Sequence, residues 1–215
     1  MRKLNSSKIK NLIFFPSNLG QRKKGVEKGP SLIVKEILKK ENKNNMEKSK
    51  KTWLNINKSN SIYENLELLY EANDNIKGPR INIGGDHSMS IATVAHSLNN
   101  YNNLKLIWID AHADINTSYS SKTGNIHGMP LGFLTGLDYN KNISFIKNYL
   151  KFSNLLYIGI RELDDFELNI IDSCNIKYIT CKEVNENPEI ALLKINQFIG
   201  NDSFHLSFDV DCMDP

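Results

Sequence analysis

Cysteine and long apolar runs are both scarce in this 215-residue sequence. The only cysteines are Cys174, Cys181 and Cys212, and no two of them have CxxC spacing, so we interpret them as reduced bystanders in a reducing compartment. No stretch approaches the roughly 20 apolar residues of a membrane helix. The apolar run that ends at Pro16 is too short for a secretory signal core. We therefore expect a cytoplasmic protein without a membrane partner.

Acidic residues are rare near the N-terminus, where residues 1–60 hold 16 Lys and Arg against 4 Asp and Glu. A basic arm is one mark of nucleic-acid binding, but few aromatic residues accompany these lysines to stack bases. Lys and Asn are enriched along the whole chain, at 23 and 29 residues, so the basic segment reflects a general bias. The sequence therefore predicts no nucleic-acid partner.

The composition is that of an ordinary globular protein, with 40% apolar and 24% charged residues, which excludes wholesale disorder. The length suits one α/β domain over residues 1–215, with residues 41–60 as a low-complexity insert or linker. Apolar runs alternate with helical patterns from residue 80 onward, which predicts a mainly parallel sheet covered on both faces. The predicted strands are Asn11–Phe15, Thr52–Ile56, Arg80–Ile83, Lys105–Asp110, Leu155–Ile160, Lys177–Ile179 and Ser203–Val210.

Three of these strands run directly into Asp and His, in the segments INIGGDHS, LIWIDAHAD and HLSFDVDCMDP. In an extended chain, alternate residues share one side, so Asp110, His112 and Asp114 are expected to project together, as are Asp209 and Asp211. With His87, these residues make six candidate metal ligands. Four carboxylates and two imidazoles exceed the needs of one tetrahedral ion and favour two ions, Mn²⁺ before Zn²⁺.

Several blocks of the sequence resemble the signature blocks of the ureohydrolases, and of the arginase family in particular. They are GGDHS at 84–88, DAHAD at 110–114, GNIHGMP at 124–130 and SFDVDCMDP at 207–215, with GVEKGP at 25–30 and GIREL at 159–163. The blocks follow the family's order from about residue 11 to residue 215. The resemblance implies a three-layer α-β-α fold and a homo-oligomer, a trimer, when the chain is full length.

The resemblance also implies a role for each matching residue. One Mn²⁺ would be held by His87, Asp110, Asp114 and Asp209, and the other by His112, Asp110, Asp209 and Asp211. Substrate would be bound by Asn116, Ser121, Thr123, Asn125 and Asp164. His127 would shuttle protons, and Asp114 would pass a proton to the leaving amine. The implied reaction is the hydrolysis of L-arginine to L-ornithine and urea by a hydroxide held between the two ions.

Two alternatives stand beside arginine hydrolysis. Agmatine shares the guanidinium but lacks the carboxylate, for which Asn116 and Asn125 offer neutral donors, so arginine is favoured over an agmatinase activity. Members of the family continue beyond the position that matches Pro215. We therefore expect a fold that is incomplete at the C-terminus, and a non-catalytic fragment is the second alternative.

Overall fold

The computed structural model describes residues 11–40, 49–139 and 143–213. The chain divides into two compact units, Met1–Thr93 and Val94–Pro215, and each contains one parallel sheet. Within the described ranges, no helix combines the length and the apolar character that crossing a bilayer requires. The single domain and the linker at 41–60 stay predictions.

The first unit is built on a three-stranded sheet in the order β2-β1-β3. Its strands are β1 (Asn11–Phe15), β2 (Lys50–Trp53) and β3 (Arg80–Gly84), and its helices are α1 (Gly29–Lys40) and α2 (Ile62–Asp74). The central strand β1 is the most apolar, and its residues Leu12–Phe15 are buried. Phe14 stacks on Trp53 of the neighbouring strand, with the ring centroids 4.2 Å apart.

One predicted strand of this unit is misplaced. Strand β2 covers Lys50–Trp53 instead of Thr52–Ile56, so it begins inside the segment that its composition marks as a linker. Pairing with β1 explains the difference, because Lys50 and Lys51 align with Asn11 and Leu12 in the ladder. Residues 41–48 of the predicted linker lie outside the described residues.

The second unit is built on a four-stranded parallel sheet in the order β6-β5-β4-β7. Its strands are β4 (Lys105–Ile109), β5 (Leu155–Ile158), β6 (Lys177–Ile179) and β7 (Phe204–Phe208). Its helices are α4 (Pro130–Leu134), α5 (Asp165–Ser173), α6 (Cys181–Glu186) and α7 (Pro188–Ile199), and α3 (Ser90–Asn100) crosses the boundary between the units.

The sheet of the second unit is buried on both faces at its centre, as the near-continuous apolar strands predict. All four residues of β5 are buried, and so are Leu106, Ile107 and Trp108 of β4. On one face, Ile107 belongs to a core cluster that includes Ala191 and Phe198 of α7. Because the strands are parallel, the residues that follow β4, β5 and β7 emerge at the same edge of the sheet, where open α/β sheets bind their ligands.

Candidate metal centre and substrate cavity

Two acidic segments meet at the carboxyl edge of the second sheet. Strands β4 and β7 are paired so that Ile109 lies opposite Phe208, and each strand is followed directly by an aspartate, Asp110 or Asp209. The backbone N–H of Asp209 donates to the carbonyl of Ile109 at 2.9 Å, which extends the ladder by one bond. A carboxylate oxygen of Asp110 lies within 4.8 Å of one from Asp209. The register of the sheet therefore brings these two carboxylates together.

Asp110 is the most buried of the predicted ligands, with 1% of its surface exposed. Its Oδ2 accepts a hydrogen bond from the indole Nε1 of Trp108 at 3.1 Å, and its Oδ1 accepts from the backbone N–H of His112 at 2.8 Å. Trp108 is itself fully buried in the sheet. The core thus fixes the orientation of this carboxylate.

The imidazole of His112 lies among three carboxylates. Its Nδ1 is 3.1 Å from Oδ2 of Asp211 and 3.5 Å from Oδ1 of Asp110, and its Nε2 is 3.4 Å from Oε2 of Glu162. The hydrogen bond with Asp110, and the negative charges around it, raise the pKa of His112 to about 9 against the cost of its partial burial. Without a bound cation, His112 is therefore the positive group of this cluster near neutral pH.

Asp211 completes what we call the strand-end cluster, which consists of Asp110, His112, Asp209 and Asp211. Its Oδ1 accepts from the backbone N–H of Ala111 at 3.2 Å. Partial burial, together with the negative charges of Asp110 and Asp209, raises the pKa of Asp211. Asp110, His112 and Asp211 each offer a ligand atom, and these atoms all lie within 4.8 Å of one another. Crowded carboxylate oxygens with an imidazole nitrogen fit a hard or borderline divalent cation, which would relieve the repulsion between them.

The extended-chain spacing predicted for the DAHAD segment is wrong at its last residue. Asp114 is nearly buried, and its backbone has a φ of 50°, in the left-handed region. The chain therefore leaves the extended conformation at Asp114, and simple alternation does not describe it there. Asp114 nevertheless lines the same cavity as the strand-end cluster.

The segment after Asp114, which we call loop 116–127, is held by hydrogen bonds within itself and to carboxylates outside it. The amide Nδ2 of Asn116 donates to Oδ2 of Asp164 at 2.9 Å, and its Oδ1 accepts from the hydroxyl of Ser120 at 2.7 Å. The start of the loop packs tightly on Gly132 of α4, where an added Cβ would come within 2.1 Å of the Asn116 carbonyl oxygen. Only glycine permits this approach without movement of the backbone.

The remaining predicted substrate residues of the loop form short local turns. Ser121 Oγ accepts from the N–H of Gly124 at 3.1 Å, and Thr123 Oγ1 accepts from the N–H of Asn125 at 3.2 Å. Asn125 precedes a short 3₁₀ turn, Ile126–Gly128, which carries His127. The side chain of Asn125 makes no capping bond in that turn.

Asp164 caps the N-terminus of α5 and at the same time borders the cavity. Its Oδ1 accepts from the N–H of Glu167, whose carboxylate in turn accepts from the N–H of Asp164. Burial opposes ionisation, but these backbone bonds and the bond from Asn116 outweigh it and lower the pKa of Asp164. Glu167 is more deeply buried, and burial raises its pKa. Asp164 is therefore a fixed negative charge at the cavity wall.

These groups surround one cavity of about 490 Å³ within the second unit. Ten of the twelve predicted site residues line it, and His87 and Asn125 are the two that do not. The ten are Asp110, His112, Asp114, Asn116, Ser121, Thr123, His127, Asp164, Asp209 and Asp211. His87 lies in the first unit, at the start of a 3₁₀ turn after β3, and its place in the ligand set stays a prediction.

Three further charged residues line the cavity, and the sequence motifs did not predict a role for them: Lys122, Glu162 and Glu167. Lys122 lies between two predicted substrate residues, and Glu162 belongs to the GIREL block. Glu162 also forms an isolated parallel bridge with His112. In the sequence, Lys122 and Glu162 were indicated only by the predicted site residues and motifs around them. The contact between Glu162 and His112 depends on how β4 and β5 pair, so it could not be predicted.

A sequence profile of the arginase family matches residues 11–215 of the chain. The chain belongs to the arginase family. An arginase from Staphylococcus aureus is 36% identical to this chain over 239 aligned positions. The alignment covers 99% of this chain and 78% of the relative. The resemblance stated from the sequence motifs is confirmed.

Solved structures show the same fold. An arginase from Bacillus subtilis superposes with a TM-score of 0.80 at 32% identity, covering 94% of this chain and 74% of that one. An Entamoeba histolytica arginase in complex with L-ornithine has a TM-score of 0.80 at 28% identity, covering 96% of this chain and 77% of the other. The predicted three-layer α/β architecture is confirmed. The chain is a hydrolase of the ureohydrolase type, as its family membership shows.

Proposed function

We propose that the protein hydrolyses L-arginine to L-ornithine and urea with the help of two Mn²⁺ ions. The observation that carries the proposal is a single cavity lined both by the strand-end cluster and by Asp164 and residues of loop 116–127. The cluster is suited to divalent cations, and the loop and Asp164 offer amide, hydroxyl and carboxylate groups to an amino acid. Family membership supports the same reaction.

The ligand set for the two ions follows from the matching motifs. His87, Asp110, Asp114 and Asp209 would hold one ion, while Asp110, His112, Asp209 and Asp211 would hold the other, with Asp110 and Asp209 shared. The crowding of carboxylate oxygens around His112 supports this assignment. When bound, such a pair of cations supplies Lewis acidity that activates water at neutral pH.

The protein's own residues would then orient the reactants and move protons. The oxygen of water bonds to the guanidinium carbon, and the bond from that carbon to the chain nitrogen of arginine breaks. Asp114, on the cavity wall, would pass a proton to the leaving nitrogen, so that ornithine departs as an amine. His127 lies in the lining on a short turn, where it would exchange protons between the cavity and solvent.

Arginine is favoured over agmatine by the groups that loop 116–127 and Asp164 present. Asp164 is held ionised by its hydrogen bonds and would attract the α-amino group. Ser121, Thr123, Asn116 and Asn125 would donate to the α-carboxylate, a group that agmatine lacks. Asn116 has two amide N–H groups, and one of them already donates to Asp164, which links the two halves of this recognition.

The wider setting is also part of the proposal. We expect a cytoplasmic homo-oligomer, a trimer by resemblance to the family, without nucleic-acid or membrane partners. Size-exclusion chromatography with light scattering measures the assembly directly.

The test of the function is urea release by purified protein loaded with Mn²⁺, with L-arginine and agmatine as parallel substrates. The proposal predicts metal-dependent urea and ornithine formation from L-arginine, with a kcat/KM well above that for agmatine. Equal or higher kcat/KM on agmatine would favour the agmatinase alternative. Binding of Mn²⁺ without any urea from either substrate would favour a non-catalytic protein.

A further inference from the structure

Arg161 connects two of the segments that carry the strand-end cluster. It lies three residues beyond the end of β5, and its backbone N–H donates to the carbonyl of Ala111 at 2.8 Å. Its guanidinium reaches in a different direction. Nη2 donates to the carbonyl of Asp211 at 2.7 Å, and Nη1 donates to the carbonyl of Cys212 at 3.0 Å. One residue is thus bonded to the segment after β4 and to the turn after β7.

The turn that receives these bonds is otherwise held by the side chain of Asp211, which contacts the N–H of Ala111 and the imidazole of His112, and by weak bonds of its own. It is a single 3₁₀ turn, Val210–Cys212, and the side chain of Val210 is 60% exposed. Its internal bonds are long, at 3.3 Å from the N–H of Cys212 to the carbonyl of Asp209 and 3.2 Å from the N–H of Met213 to the carbonyl of Val210. Such bonds lie at the weak end of the normal range.

Electrostatic repulsion between carboxylates works against the position of this turn, and the contact of Asp211 with His112 at 3.1 Å offsets only part of it. Asp211 and Asp209 each have a carboxylate oxygen within 4.8 Å of one from Asp110. Like charges this close favour a movement of the exposed turn away from the sheet unless something restrains it. Both guanidinium bonds go to backbone oxygens, so they restrain the turn without occupying the carboxylate of Asp211.

We propose that Arg161 is a positioning residue, which holds the Val210–Cys212 turn so that the Asp211 carboxylate is placed for metal binding before the metal arrives. This inference rests on the proposed function, because the ligand role of Asp211 is part of it. The planar fork of arginine reaches two consecutive carbonyls at once, which the single ammonium of lysine does not reproduce. Residues that orient metal ligands typically change metal affinity by about 10- to 100-fold when they are replaced.

The experiment compares Mn²⁺ binding by metal-free wild type, Arg161→Lys and Arg161→Gln, using calorimetry for affinity and elemental analysis for stoichiometry. The matched control is Arg80→Lys, in which an arginine of the first unit loses a similar bond to the carbonyl of Ile76. We expect Arg161→Gln to weaken the binding of one Mn²⁺ by about 10- to 100-fold, Arg161→Lys to weaken it less, and Arg80→Lys to leave it unchanged. Thermal unfolding of each metal-free protein is recorded alongside.

A purely structural role predicts a different pattern. The inference would be overturned if the metal-free Arg161 variants melted at lower temperatures but bound Mn²⁺ with wild-type affinity. It would also be overturned if the binding of both ions were weakened equally. If Arg161→Gln does not fold, wild-type affinity in folded Arg161→Lys still overturns it. A wild type that binds two Mn²⁺ but releases no urea would refute the proposed function alone, whereas an active wild type whose Arg161 variants bind metal normally would refute only this inference.

Discussion

The strand-end cluster and loop 116–127 line the same cavity but are held in opposite ways. In the cluster, the carboxylates of Asp110 and Asp211 lie within ionic contact of His112, and partial burial together with the negative charges of Asp110 and Asp209 raises the pKa of Asp211. In the loop, neutral groups bond to one another, as Ser120 does to Asn116 and to Thr117. The cluster therefore depends on a cation for balance, whereas the loop is organised without one.

This difference predicts that substitutions in the cluster act through the metal and that substitutions in the loop act through the substrate. Metal content and substrate preference are thus separate readouts for the two regions.

Removing a shared carboxylate is expected to have the greatest consequence. Asp209→Ala should abolish binding of both Mn²⁺ ions and lower kcat by at least about a thousandfold, because several kcal/mol of charge stabilisation would be lost. His87→Ala should mainly weaken the binding of one of the two ions. Elemental analysis and urea release measure the two effects, and Asp202→Ala, at a surface contact with Asn103, is the control. Unchanged metal stoichiometry in Asp209→Ala would refute the dinuclear assignment.

Substrate preference should change when the loop is altered at Asn125. Loss of one hydrogen bond to a charged group costs roughly 1.5–3 kcal/mol, so Asn125→Ala should lower kcat/KM for L-arginine by about tenfold to a hundredfold. Agmatine is the internal control, since it lacks the α-carboxylate, and its kcat/KM should stay nearly constant. The Mn²⁺ content should also be that of the wild type. A parallel loss on both substrates would argue against a carboxylate-binding role.

The internal organisation of the loop is tested at Ser120, whose hydroxyl accepts from the N–H of Thr117 and donates to Asn116. Ser120→Ala should raise KM for L-arginine by about twofold to tenfold, since a neutral hydrogen bond contributes about 0.5–1.5 kcal/mol. Metal affinity should not change. Ser118→Ala, which removes a neighbouring hydroxyl that donates to Asp138, shows whether any loop substitution has this effect. Weaker Mn²⁺ binding by Ser120→Ala would break the proposed separation of the two regions.

The smallest effect concerns stability against pH in the chelated, metal-free protein. The pKa of His112 is about 9 when folded and 6.5 when unfolded, so its protonated form stabilises the fold. That contribution is fully present below pH 6.5 and is lost as the pH rises towards 9. Because the side chain is partly exposed, we expect at most about 1 kcal/mol. Urea unfolding between pH 6.5 and pH 9 should show a declining free energy of unfolding in the wild type. The variant His112→Gln should lack this decline. An equal dependence of the unfolding free energy on pH in the two proteins would contradict the role of His112.

Local sequence patterns determined where most strands lie and which residues line most of the cavity. Strands β1 and β6 have the predicted bounds, because apolar runs between turn residues already define a buried strand. The polar residues after β4 and β7 were predicted to meet, since parallel strands deliver their carboxyl ends to one edge. Pairing between distant segments was not predictable in detail, as the start of β2 at Lys50 shows.

What only the tertiary structure decided concerns contacts between segments far apart in the chain. The left-handed backbone at Asp114 and the tight approach of Gly132 to Asn116 depend on how loop and helix pack, which alternation along a strand does not encode. The GIREL block is visible in the sequence, but the bonds from Arg161 to Asp211 and Cys212 span about fifty positions. Sequence therefore specified which chemical groups follow the strands, and packing determined which of those groups restrain one another.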